Sequence, residues 1–156
     1  MARRLVVLLL VACAAAGCGV RRSTDSGRWL VTITQASGGA EMARARGDRA
    51  EARRMLVAIV DAPRPAGVWP DDLRAVRMDA YFRLATLELE DASPKAARQW
   101  AEQGLALGAR RDVFTANLHL VHGRALEALG VDLEAQASYH RALVVTEALL
   151  GTALDK

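Results

Sequence analysis

Aromatic residues are scarce in this chain: three tryptophans, two tyrosines and two phenylalanines among 156 residues. Without β-branched and aromatic runs, a sheet has little to build on, so an all-helical body of alanine and leucine is expected. Cysteine is nearly absent, and both copies, Cys13 and Cys18, lie near the start. That leaves no disulfide framework for the rest of the chain. Charge of one sign is missing too. Of 21 basic residues, Arg3 and Arg4 precede the apolar run, which leaves 19 against 18 acidic ones from Cys18 onward. Such a balance lacks the basic surplus of a nucleic-acid binder. There is no glycine-rich phosphate loop and no recognisable nucleophile–base arrangement, so neither catalytic nor cofactor-binding residues emerge.

A long apolar run is also lacking. The longest, Leu5 to Ala16 in "LVVLLLVACAAA", has twelve residues. As a helix it covers about 18 Å, against a hydrocarbon core of about 30 Å. With "MARR" before it and small residues after it, the segment has the three parts of a secretory signal. The small residues lead directly into Cys18, as "AAGC". This stretch resembles the lipobox of bacterial lipoproteins, with Ala15 where that family usually has leucine. The resemblance implies a signal peptide over 1–17, lipid attachment at Cys18, loss of Cys13 and a polar tether over 18–28. "LVAC", ending at Cys13, fits the same motif but leaves a shorter apolar core. Gly19, rather than aspartate, follows Cys18; by the same resemblance the protein is expected at the outer membrane, facing the periplasm. A metal site at Cys13 and Cys18 lacks a second ligand pair.

The body repeats itself. "YFRLATLELEDASPKAARQWAEQGLAL" from Tyr81 and "HLVHGRALEALGVDLEAQASYHRALVV" from His119 align at an offset of 38 residues. Ala85 then matches Gly123, Ala97 matches Ala135, and Gly104 matches Ala142. Small residues at these points let two antiparallel helices approach, and pairs must stack to bury their apolar faces. The pattern resembles tetratricopeptide repeats, carried by Gly123, Gly130, Ala135, Tyr139, Ala142 and Leu143, and earlier by Tyr81, Leu84, Ala85, Ala97 and Gly104. That family repeats every 34 residues, so an offset of 38 implies roughly one extra turn of helix. A weaker copy, with Ala40, Gly47, Asp48 and Ala52 in matching places, precedes them. The resemblance implies an all-α fold: a short right-handed superhelix of two to three antiparallel pairs over 29–151 (29–62, 71–108 and 112–151), with a tail over 152–156.

Local signals agree with this division. Ser93 before Pro94 reads as a helix cap followed by a first-turn proline, for a helix through Leu107. Asp71 or Asp72 reads as the cap of the helix carrying Leu73, Val76, Ala80, Leu84 and Leu87. "DAPRPAGVWP", with three prolines, reads as a linker. His119 and His122 stand three apart on one helix, a spacing that suits two metal ligands, but His140 is the only other histidine and no further ligands are evident.

In the repeat family, the first helices of successive pairs line a concave binding face. By that resemblance the face carries Asp79, Phe82, Thr86 and Leu89, followed by Asn117, Leu120, Arg124 and Glu127. Its mixed character suits an extended peptide or a helix. Ser37 and Glu41 replace the pattern used by carboxylate-clamping members. The last helix keeps Leu143, Val144, Leu149, Leu150 and Leu154 on more than one side. Either the residues after Gly151 fold back over it, or it meets a partner or a second copy of the chain. The expectation is a lipid-anchored envelope adaptor that binds a protein partner, as in the assembly of an envelope, secretion or pilus complex. The alternative is an envelope enzyme or cell-wall-binding protein whose site the helices present.

Overall fold

The computed structural model describes residues 25–154, and all of its regular structure there is helical. Cys13 and Cys18, the expected signal peptide over 1–17 and most of the expected tether over 18–28 lie outside the described residues. The helices are α1 (25–45), α2 (Arg49–Asp61), α3 (Pro70–Glu90), α4 (Pro94–Ala106), α5 (Val113–Ala128) and α6 (Asp132–Leu154). α4 and α6 begin 38 residues apart, at 94 and 132.

Three tight turns, α1–α2, α3–α4 and α5–α6, are built alike. Each contains a left-handed residue: Gly47 at φ +80°, Ala92 at φ +53° and Gly130 at φ +73°. Each is closed by a bond across six residues: Asp48 N–H to Ala43 O at 2.9 Å, Ser93 N–H to Glu88 O at 2.8 Å, and Val131 N–H to Leu126 O at 3.0 Å. This is the Schellman geometry that satisfies carbonyls left open at a helix end. The weak first copy seen in the sequence therefore turns as the other two do. Ala92 alone adopts the left-handed conformation with a Cβ, which costs about 1 kcal/mol relative to glycine.

Helix starts follow local chemistry, with two departures from expectation. The Asp48 carboxylate accepts from Glu51 N–H at 3.0 Å, and that of Asp112 from Thr115 N–H at 2.8 Å. α3, however, starts at Pro70 with Trp69 in the cap position and no side-chain cap. Pro70 needs no N–H partner, so Asp71 and Asp72 fall in the first turn, where Asp71 instead meets Arg110 at 2.8 Å. Ser93 does occupy the cap of α4, but its hydroxyl donates to Asp91 O at 3.3 Å and caps nothing. Gly151 does not end α6, which continues to Leu154 rather than folding back. One glycine costs a helix only about 1 kcal/mol, and alanines and leucines surround it.

From α2 onward each helix packs on its successor, and α3 also packs on α5. One core joins α1, α2 and α3 through Ala40, Ala43, Ala52, Leu56, Ile59, Ala80, Leu84 and Leu87. A second joins α3, α4 and α5 through Ala85, Ala97, Ala101, Val121 and Ala125. Small residues set the separations. A Cβ on Gly123 would lie 2.6 Å from the Tyr139 ring, and one on Gly104 would lie 2.7 Å from a Leu118 methyl. Met78, Leu84, Leu87, Leu118 and Leu126 are fully buried, each contributing about 1.5–3 kcal/mol.

Ion pairs join the α1–α2 turn to the end of α3. Arg53 meets Glu88 at 2.7 Å and Asp91 at 2.8 Å, Arg49 meets Asp91 at 3.3 Å, and Arg44 meets Glu90. The hydrogen bond to Arg44 is the main reason the Glu90 carboxyl titrates below its ordinary range.

Candidate functional site

Helix geometry places Asp79, Phe82, Arg83 and Thr86 along one side of α3, at spacings of three and four. Across from them, α1 presents Ala40, Glu41 and Arg44. Between these two helices lies a cleft of about 280 Å³, with Leu56 of α2 and Leu87 of α3 also lining it. Its apolar surface comes from Ala40, Leu56, Phe82 and Leu87. Its charges are matched: Arg83 Nε meets Asp79 Oδ2 at 2.8 Å, and Arg44 Nη1 meets Glu41 Oε1 at 3.0 Å. Arg44 Nε also donates to Glu90 at 3.1 and 3.2 Å, which pins that side chain against α3. The Arg44 guanidinium is held charged chiefly by its bond to Glu90. The Thr86 hydroxyl donates to Phe82 O at 2.9 Å and so is partly occupied within its own helix.

Three of the eight residues expected on the binding face, Asp79, Phe82 and Thr86, therefore line this cleft. Leu89 does not: it packs with Phe82 against the core of Ala85, Ala97, Ala101, Val121 and Ala125. One turn beyond Thr86 it meets α4 and α5 rather than α1. Asn117, Leu120, Arg124 and Glu127 all stand on α5, outside the cleft. Glu127 there accepts from the Tyr139 hydroxyl at 2.6 Å, while Leu120 is 45% exposed. Arg44, Leu56, Arg83 and Leu87 were missed in the sequence. The Asp79–Arg83 spacing of four was a readable signal for one of them. Arg44 and Glu90 lie 46 residues apart, and no local pattern links them.

The histidine pair serves the α5–α6 interface. Ser138 donates to His119 O at 3.0 Å, so its oxygen accepts from His122 Nδ1–H, also at 3.0 Å. That leaves His122 Nε2 buried without a hydrogen bond and 3.6 Å from Glu102 Oε1; His119 Nδ1 is buried and unpartnered as well. Burial lowers the pKa of both rings, Arg141 adding to this at His119 and Glu102 opposing it at His122. Among the described residues, no three His, Cys, Asp or Glu side chains are grouped to hold a metal ion, and no helix is long and apolar enough to cross a membrane.

No family model, curated protein or solved structure matches the chain. The functional reading therefore rests on the chain's own residues.

Proposed function

We propose that this chain is an envelope lipoprotein, anchored through Cys18, whose three helix pairs form a short right-handed superhelix of tetratricopeptide type. It acts as an adaptor, holding a protein partner in the α1–α3 cleft during assembly of an envelope, secretion or pilus complex. The observation that carries this reading is the cleft itself. It lies between the first helices of two consecutive pairs, has an apolar lining around Phe82, and is bordered by two matched ion pairs. Apolar area supplies affinity there and the bordering charges supply register, which suits a peptide or helix bearing one bulky apolar side chain.

The recurring turn supports the repeat reading. Ala40, Ala85 and Gly123 on the first helices, and Ala52, Ala97 and Ala135 on the second, occupy corresponding places, and all six are buried. A repeat requires small residues at the same points in every layer.

A photo-crosslinking residue at position 86 tests the adaptor role in cells. One defined protein adduct is expected, and Phe82→Arg should abolish it. Recovery of lipid alone, or an adduct indifferent to Phe82→Arg, overturns the reading. The anchor is tested separately: Cys18→Ser should move the chain from the detergent phase to the soluble fraction.

A further inference from the structure

One edge of the molecule gathers the starts of α1, α3 and α5 and the ends of α2, α4 and α6. Two recesses open along it and share Arg110. The first, about 540 Å³, is lined by Arg64, Arg74, Arg77 and Arg110 with Asp71 as its one carboxylate; the second, about 340 Å³, by Arg110, Arg111, Arg141, His119 and His140 with none. Arg110 is held by Asp71, and Arg74 by Asp112. Arg64, Arg77, Arg111 and Arg141 pair with no carboxylate among the described residues; Arg77 donates to Ala62 O alone. The other carboxylates near this edge lie outside both linings: Asp25 at the start of α1, 4.0 Å from Arg28, Asp61 and Asp72 at helix ends, and Glu147 two turns before the end of α6. On the opposite edge Arg44, Arg49 and Arg53 are matched by Glu88, Glu90 and Asp91, while Arg46 and Lys95 have no carboxylate partner among the described residues.

Apolar groups stand beside the unpaired arginines of the recesses. Trp69, directly before Pro70 of the first recess, is 74% exposed. α6 runs nine residues past Val145 of the second recess, about 14 Å of helix, and its Leu150 and Leu154 are exposed. The start of α1 reaches the same edge, since Trp29 packs on Val68 and Leu73. Only six residues lie between Cys18 and Asp25, and the seven steps from one to the other span at most about 25 Å at full extension.

We infer that this edge is a membrane-facing surface, which binds the phosphate headgroups of anionic phospholipid through its unpaired arginines and sets Trp69 at the bilayer interface. Arginine meets phosphate oxygens two at a time, and an exposed tryptophan prefers the boundary between headgroup and acyl chain. The α1–α3 cleft runs along the helix sides instead, so docking by this edge leaves it open to a partner. The placement rests in part on the anchor at Cys18, whereas the lipid-binding chemistry of the edge does not.

The test uses the full chain carrying Cys18→Ser, mixed with vesicles of phosphatidylcholine alone or with added phosphatidylglycerol. The ratio of the two partition coefficients cancels the apolar contribution of the N-terminal segment, and its arginines, common to every variant, cancel when ratios are compared between variants. Arg111→Ala with Arg141→Ala should lower that ratio by roughly 10- to 30-fold. Bromine-labelled acyl chains should quench the fluorescence of the parent, and Trp69→Phe should remove most of that quenching. A ratio unchanged by the double substitution, or quenching unchanged by Trp69→Phe, overturns the inference. Flotation of the acylated chain on neutral vesicles, compared with Cys18→Ser, reports the anchor alone.

Discussion

Gly123→Ala puts the packing of α5 on α6 to a direct test. A Cβ at this position would lie 2.6 Å from Tyr139 Cδ1 and Cε1 and 3.0 Å from Cζ. Carbon atoms settle at about 3.5–4.0 Å, so the helices must part by about 1 Å or the ring must turn. Turning it breaks the 2.6 Å bond from the Tyr139 hydroxyl to Glu127. Overpacking of this kind costs about 1–3 kcal/mol, while exchanging glycine for alanine within a helix returns about 1 kcal/mol. The net expectation is a loss of up to about 2 kcal/mol, read as a lower urea midpoint at unchanged slope by far-ultraviolet circular dichroism. In a Tyr139→Leu background the obstruction is gone, and Gly123→Ala should then stabilise by up to about 1 kcal/mol. The reversal of sign between backgrounds is the signature of direct contact. A Gly123→Ala chain more stable than the parent by about 1 kcal/mol with Tyr139 present, the same gain as in the Tyr139→Leu background, refutes the close approach of these helices.

Ala92→Gly relieves the one left-handed non-glycine residue among the described residues and should raise stability by about 1 kcal/mol, measured by the same urea titration; a loss would refute the shared turn geometry. Glu88→Gln leaves the part-buried Arg53 with only Asp91 and should cost about 1–2 kcal/mol, between surface and fully buried pairs, whereas Glu102→Gln, opposite the exposed Arg98, should cost under about 0.5 kcal/mol. Because burial lowers the pKa of His119 and His122 in the fold, the unfolded chain binds more protons below about pH 6.5. Stability is therefore full above that pH and is lost as pH falls toward the folded values. Urea midpoints at pH 7.5 and 5.5 measure the loss, and His122→Gln should shrink it.

The repeat was legible because small residues recur wherever two helices must approach. Ala97 and Ala135, and Ala85 and Gly123, could be paired by offset alone, and all four are buried. Asp48 stood out as a matching residue of the weak first copy, and Pro94 marked the start of α4 through its own backbone constraint. The start of α3 was misread because Asp71 and Asp72 have the chemistry of a cap, yet Pro70 ahead of them already suits the first helical position. The end of α6 was misread because Gly151 weakens a helix without being enough to stop it. The lining of the α1–α3 cleft was legible only in part. The resemblance to tetratricopeptide repeats put Asp79, Phe82, Thr86 and Leu89 on one face of α3, but α3 meets α1 and α2 on one side and α4 and α5 on the other. Leu89 falls on the second side.

Composition and spacing determined by themselves that the described chain is helical, where its tight turns fall, and which small residues bring helices together. These properties depend on backbone conformation and neighbours within a few residues. The tertiary structure alone decided that Arg44 and Glu90 meet across 46 residues, that a cleft opens between α1 and α3, and that unpaired arginines from the α2–α3 and α4–α5 loops and the sides of α3 and α6 share one edge with Trp69. Each arises because antiparallel helices return distant segments to the same end of the molecule, and no local pattern encodes which of them become neighbours.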